Sequence, residues 1–119
     1  MAEKYLINAQ HGADDVEKAT VALILAGAAA AMDSETAVFL TCEAVRLATK
    51  GGVDGLATDG YPTPSELIEA LMENGGQFWV CPVCANARSI GAADLIDGAE
   101  IAGAARTIGF VNDGARVLL

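Results

Sequence analysis

The chain has 119 residues, 53% of them hydrophobic and 19% charged, enough apolar material for one well-filled core and an argument against disorder or a second domain. Sixteen acidic residues against seven Lys and Arg give a formal charge of −9 with no basic cluster, so a nucleic-acid backbone meets net repulsion. The most apolar window, 19–32, is half alanine and falls short of the roughly 20 residues that cross a bilayer, so no membrane partner is expected.

Residues 4–9 read as a strand ending at Gln10-His11-Gly12. Asp14 and Glu17 then stand at the spacing of a capping box and open a helix over 14–32. Its apolar residues wrap most of the circumference, with Val16, Leu23 and Ala30 on one side and Val21, Ile24 and Leu25 on others, so burial on more than one face is expected. Residues 36–40 form a second short strand, closed by Thr41-Cys42-Glu43. A short helix over 44–49 stops at Gly51-Gly52, and a glycine-rich loop covers 53–61.

Thr63-Pro64-Ser65-Glu66 gives a second capping box with proline at the first helical position, and this helix runs to Glu73 before Asn74-Gly75-Gly76. The third strand is 77–80, followed by a helix over 82–90 with Gly91 as its stop and one further helical turn over 92–96. A weak fourth strand at 100–102, a helix over 104–111 and a fifth strand at 115–119 complete the chain. This alternation predicts a single α/β domain: a mostly parallel five-stranded sheet with helices on both faces, in a three-layer, flavodoxin-like arrangement.

In such a sheet, chemistry gathers beyond the carboxyl ends of the strands. His11 falls there after the first strand, Cys42 with Glu43 after the second, and Cys81 with Cys84 after the third. They converge if those three strands are neighbours. Cys81 leaves a strand directly into a proline-opened helix, facing the unpaired N–H groups of the first turn, where partial positive charge favours an anionic sulfur. It is the leading candidate for a nucleophile or sulfur carrier; the plain alternative is a buried cap that packs as a small hydrophobe.

Cys81 and Cys84 also form a Cys-x-x-Cys pair, readable as a redox dithiol. His11, Cys42, Cys81 and Cys84 would make a four-ligand metal set if the strand ends meet, although their scattered spacing argues against it. His11 reads either as a base or anion contact near a thiolate or as a surface loop residue. Cys42, beside the carboxylate of Glu43, is expected to be buried rather than reactive. Arg88, two turns along its helix, is too far to touch Cys81 within one subunit.

No phosphate-cradling glycine loop and no Ser-His-Asp triad is present, so no cofactor is expected. The N-terminus lacks the pattern of a secretory signal, which makes the cytoplasm the expected location. An odd count of three cysteines there points to thiol chemistry or burial rather than a structural bridge.

The segment Trp79-Val80-Cys81-Pro82-Val83-Cys84-Ala85-Asn86-Ala87-Arg88-Ser89-Ile90-Gly91 resembles the signature of the DsrE/DsrF-like family, with a cysteine, a short helix and an Arg-Gly-type ending after the third strand. The opening strand with His11-Gly12-Ala13-Asp14-Asp15, and Ala37-Val38-Phe39-Leu40 before Ala44-Val45, resemble the same family in the same order. Ser89 and Cys42 depart from its usual pattern. The resemblance implies a small five-stranded α/β protein that assembles as a homo-oligomer, a trimer or hexamer. It further implies sulfurtransferase-type relay between donor and acceptor proteins, with Cys81 in the position of the persulfide-forming cysteine. The apolar first helix and the ending Arg116-Val117-Leu118-Leu119 independently exceed what so short a chain can cover alone.

Overall fold

The structure, a computed structural model, describes residues 3–119. Five strands, β1 (Lys4–Ala9), β2 (Glu35–Leu40), β3 (Gln77–Val80), β4 (Ala99–Ile101) and β5 (Arg116–Leu118), form one sheet in the order β4-β3-β2-β1-β5. Every pairing is parallel. Four α-helices, α1 (Val16–Ala31), α2 (Pro64–Glu73), α3 (Pro82–Ala87) and α4 (Ala104–Asn112), alternate with the strands, together with 3-10 helices at Cys42–Ala48 and Ala92–Asp94.

The strand order explains which face each helix covers. From β1 to β4 the chain steps one strand at a time in one direction, and right-handed crossovers then keep the intervening helices on one face. The return from β4 to β5 runs the other way across the whole sheet, so α4 lands on the opposite face. Alternate strand residues sort accordingly. Ile7, Val38, Leu40, Phe78 and Val80 join Leu23 of α1 and Leu71 of α2 in the main core, while Leu6, Ala37 and Trp79 meet Phe110 of α4 in a smaller one.

Trp79 organises that smaller core. Its ring meets Phe110 edge-on at 5.1 Å, Arg106 lies 4.9 Å from its centroid, and its Nε1–H donates to Gln77 Oε1. Aromatic and cation–π contacts of this kind add about 1 kcal/mol each beyond area burial. One helix therefore suffices to anchor the second face.

Most helix boundaries follow local chemistry, and the departures have identifiable causes. The capping box at Thr63 and Glu66 forms as the sequence predicts. The one expected at Asp14 does not: Asp15 is the N-cap, accepting from the Lys18 N–H, and α1 begins at Val16. Asp14 instead turns back to accept from the Gly12 N–H and to meet His11, so its carboxylate braces the loop rather than the helix.

All four helices end in a left-handed turn that pairs the next two N–H groups with the last carbonyls. At α2 and α4 the turning residue is glycine, but at α1 it is Asp33 and at α3 it is Ser89, with φ of 62 and 57. This is why α3 stops at Ala87 instead of continuing to residue 90. The Ile90 N–H returns to the Ala85 carbonyl, and Ile90 packs on the core.

The segment expected as a helix over 44–49 begins at Cys42 and winds as a tight 3-10 helix. The sequence predicts burial of α1 on more than one face, but in this chain only one face is buried, that of Ala19, Ala22, Leu23, Ala26, Ala29 and Ala30, which repeat at helical spacing. Val21, Ile24, Ala28 and Ala31 form an open apolar stripe down its outer side.

Candidate functional site

Because β3, β2 and β1 are adjacent, Cys81, Cys42 and His11 lie along one edge of the sheet in that order. The ladder continues one residue past β3: the Cys81 N–H donates to the Leu40 carbonyl at 3.0 Å. Cys81 is half-buried, stands as N-cap of the six-residue α3, and makes no side-chain capping bond. On the far side, the loop entering α4 approaches so closely that a Cβ at Gly103 would lie 3.3 Å from the Pro82 ring. The thiol is thus held at the mouth of a short helix between two strand-end loops.

The other two sulfurs sit differently. Cys84 is half-buried like Cys81 and packs against the main core. Cys42, expected to be buried, is exposed, because a left-handed φ of 53 carries the chain out of β2 at that residue. All three are unbridged.

Arg88 ties these elements together. It is C-cap of α3, its Nη1 donates to the Cys84 carbonyl at 3.2 Å, and its Nε donates to Glu43 Oε1 at 3.1 Å. The other oxygen of Glu43 takes Arg46 Nε at 2.9 Å. Hydrogen bonding, from Arg88 first and then Arg46, holds the Glu43 carboxyl below the ordinary carboxylate range. One carboxylate between two guanidiniums leaves this corner with one net positive charge in a chain of charge −9. The acidic neighbour that argued against Cys42 is therefore already neutralised.

Glu43→Gln is expected to cost about 0.5–1 kcal/mol, because the groups are partly exposed and solvent screens them. The folded Glu43 titrates lower than the unfolded one, so its contribution is complete above the unfolded value and fades as pH falls through the folded one. Denaturation midpoints measured across acidic pH should converge for wild type and Glu43→Gln at the acid end and separate toward neutrality.

His11 stands two strands from Cys81, about 10 Å away by strand spacing. Its Nδ1 lies 2.9 Å from Asp14 Oδ2. Hydrogen bonds from the Gly12 N–H and then from His11 hold the Asp14 carboxyl below its ordinary value. Gly12 is packed against the 3-10 helix, where a Cβ would come 2.7 Å from the Glu43 carbonyl oxygen. The structure thus puts Cys81 and Cys42 at neighbouring strand ends, ties Arg88 to Glu43 and the Cys84 carbonyl, and leaves His11 at the next strand end.

A cavity of about 440 Å³ opens beside His11, lined by Asn8, Gln10, Lys18, Val21 and Leu119 among others. It occupies the crevice between β1 and β5, where the strand order reverses. Sequence reasoning missed both this crevice and the Glu43 clamp. Placing β5 beside β1 would have located the first; no local signal marks the second.

Among the described residues, no group of three or more His, Cys, Asp or Glu side chains is arranged to hold a metal ion, so the four candidate ligands do not assemble. No described helix is long and apolar enough to cross a membrane.

The fold and this edge define a small parallel α/β protein that carries free thiols at its strand ends. The chain belongs to the DsrE/DsrF-like family, whose model matches residues 3–119. It is 29% identical over 110 residues to an uncharacterized protein of Methanocaldococcus jannaschii, covering 92% of this chain but only 40% of that one. It is 30% identical over 102 residues to an uncharacterized protein of Methanopyrus kandleri, covering 86% and 81%. The chain thus spans less than half the length of the first relative.

Among solved structures, the YchN protein from E. coli superposes with a TM-score of 0.78 at 21% identity, covering 98% of this chain and 99% of that one. A protein of unknown function from Methanobacterium thermoautotrophicum gives 0.67 at 16%, covering 98% and 97%. These likenesses establish the fold.

Proposed function

We propose that the protein is a sulfur carrier in which Cys81 accepts a sulfane sulfur as a persulfide and passes it to a partner protein. The observation that carries this reading is the setting of Cys81: a free, half-buried thiol at the carboxyl end of β3. A carrier needs a sulfur that a donor can reach and that stray thiols cannot easily strip. Half-burial between two loops meets both needs. Cys84, equally half-buried, packs part of its side chain against the core.

The step conserves atoms and electrons. The Cys81 thiolate attacks a sulfane sulfur of a polysulfide or persulfide donor, a new S–S bond forms, and the donor's remaining thiolate leaves with the electron pair. No separate oxidant is needed. Assembly as a trimer or hexamer is part of the proposal, supported by the open stripe of α1 and by exposed Ile108, Val117 and Leu119. The cytoplasm, as a reducing compartment, suits the chemistry.

Incubation with inorganic polysulfide followed by intact-mass measurement tests the reading. Wild type is expected to gain one sulfur atom that a thiol reductant removes, and Cys81→Ser to lose the gain. Wild-type protein that takes up no sulfur, or equal uptake by Cys81→Ser, would sink the carrier role and leave a binding or assembly module of the same fold.

A further inference from the structure

We propose that Cys84 is the resolving thiol of Cys81: when no acceptor collects the sulfur, Cys84 displaces it as hydrosulfide and a disulfide forms between residues 81 and 84. This rests on the persulfide reading of Cys81 and adds a second activity, sulfide release, with an oxidised state in which the carrier cannot load.

The first turn of α3 places the pair. Cys81 is its N-cap, Pro82 follows at the first helical position, and the Ala85 N–H closes the turn on the Cys81 carbonyl at 2.9 Å. Cys84 is therefore the third helical residue. Helix geometry sets Cα atoms three positions apart at about 5 Å, within the span that disulfides bridge.

The helix α2 shows what these two positions do in this chain. Thr63 is its N-cap, Pro64 follows, and Glu66 is its third residue. Each of the two side chains reaches the other residue's backbone: Thr63 Oγ1 accepts from the Glu66 N–H at 3.2 Å, and Glu66 Oε2 accepts from the Thr63 N–H at 3.3 Å. Side chains at the N-cap and the third position are thus neighbours.

In α3 both of those positions hold thiols. Cys81 makes no capping bond, and neither sulfur is bridged. Both are half-buried, and rotation about the two Cα–Cβ bonds is the movement that closes the pair. Arg88 fixes the turn from its other end, donating to the Cys84 carbonyl at 3.2 Å while it holds Glu43. Cys42 lies on a different element and shares no turn with either thiol.

The step balances. The Cys84 thiolate attacks Cys81 Sγ, the inner sulfur of the persulfide. A bond forms between the two cysteine sulfurs as the bond from Cys81 Sγ to the outer sulfur breaks, and the electron pair leaves with the outer sulfur as hydrosulfide. The sulfane sulfur is reduced by two electrons, which the two thiols supply in becoming a disulfide. Exchange with an external dithiol reductant then restores both thiols.

Protein loaded with substoichiometric inorganic polysulfide, cleared of donor and left without acceptor, is followed by sulfide assay and by intact mass after alkylation. In wild type the gain of one sulfur atom should give way to a loss of two hydrogens from the reduced mass. One hydrosulfide should appear per disulfide, and peptide masses should link residues 81 and 84. The rate should not depend on protein concentration. Cys84→Ser and Cys84→Ala should each hold the Cys81 persulfide about tenfold longer, because an intramolecular attacker has been removed. Cys42→Ser should discharge as wild type does.

Equal decay in wild type and both Cys84 variants, a disulfide that includes Cys42, or a rate that scales with protein concentration overturns the resolving role and leaves the carrier reading standing. Absence of sulfur uptake by wild type removes the carrier reading, and the resolving role with it.

Discussion

Phe78→Ala should lose about 3–5 kcal/mol of folding stability, the usual cost of emptying a fully enclosed aromatic site. Phe78 is 0% exposed and sits on an interior strand, paired with Val38 of β2 on one side and Ala99 of β4 on the other. Its ring belongs to the main core with Leu23, Leu71 and Val80, drawn from α1, α2 and β3 itself. Because close-packed surroundings relax only partly, a cavity remains after truncation. A domain of this size has only about 5–15 kcal/mol in total, so the variant should stand near the edge of folding.

Urea denaturation at fixed protein concentration measures the loss, the fixed concentration being needed because any oligomer adds stability by mass action. Phe78→Leu should recover most of it. A loss below about 1 kcal/mol for Phe78→Ala would mean that the core is not closed around β3 as described.

A comparably large loss is expected from a single methyl group at Gly52. A Cβ there would collide with the Arg46 carbonyl and with Thr49 Oγ1, which are themselves hydrogen-bonded to each other. Backbone is the obstacle, so the turn and the end of the 3-10 helix must move together. Overpacking against rigid atoms costs about 3 kcal/mol or more at the severe end.

Gly55→Ala is the control, since its Cβ meets open space and only the positive φ of 76 opposes it. About 1 kcal/mol is expected there. Thermal midpoints should therefore fall much further for Gly52→Ala than for Gly55→Ala. Equal shifts would show that the turn yields easily. The consequence extends to the site, because Arg46 carries one half of the Glu43 clamp.

Local chemistry made much of the fold legible. The four residues of β3, the Thr63 capping box and the six residues of β1 were readable because each is decided by neighbours in sequence: apolar runs, a cap, a stop. The end of α3 was misread because a serine, not glycine, takes the left-handed turn. Asp14 and Asp15 both had cap chemistry, and the choice between them turned on His11 and Gly12, which only the folded loop brings within reach. The family resemblance was carried by the dozen residues around Cys81 and holds over residues 3–119.

The site divides in the same way. Sequence alone determined that thiol and imidazole side chains would collect beyond the strand ends and that Cys81 would stand where a strand meets a proline-opened helix, because alternation and turn chemistry are local properties. Only the tertiary structure decided that β2 lies between β1 and β3, and with it that the strand ending at Cys42, rather than the one ending at His11, adjoins the strand ending at Cys81. It also packed Cys84 against the core, exposed Cys42, and set Glu43 between Arg46 and Arg88. Glu43 and Arg88, 45 positions apart in sequence, are brought together by the pairing of β2 with β3. No periodicity or motif in a linear chain encodes such a contact.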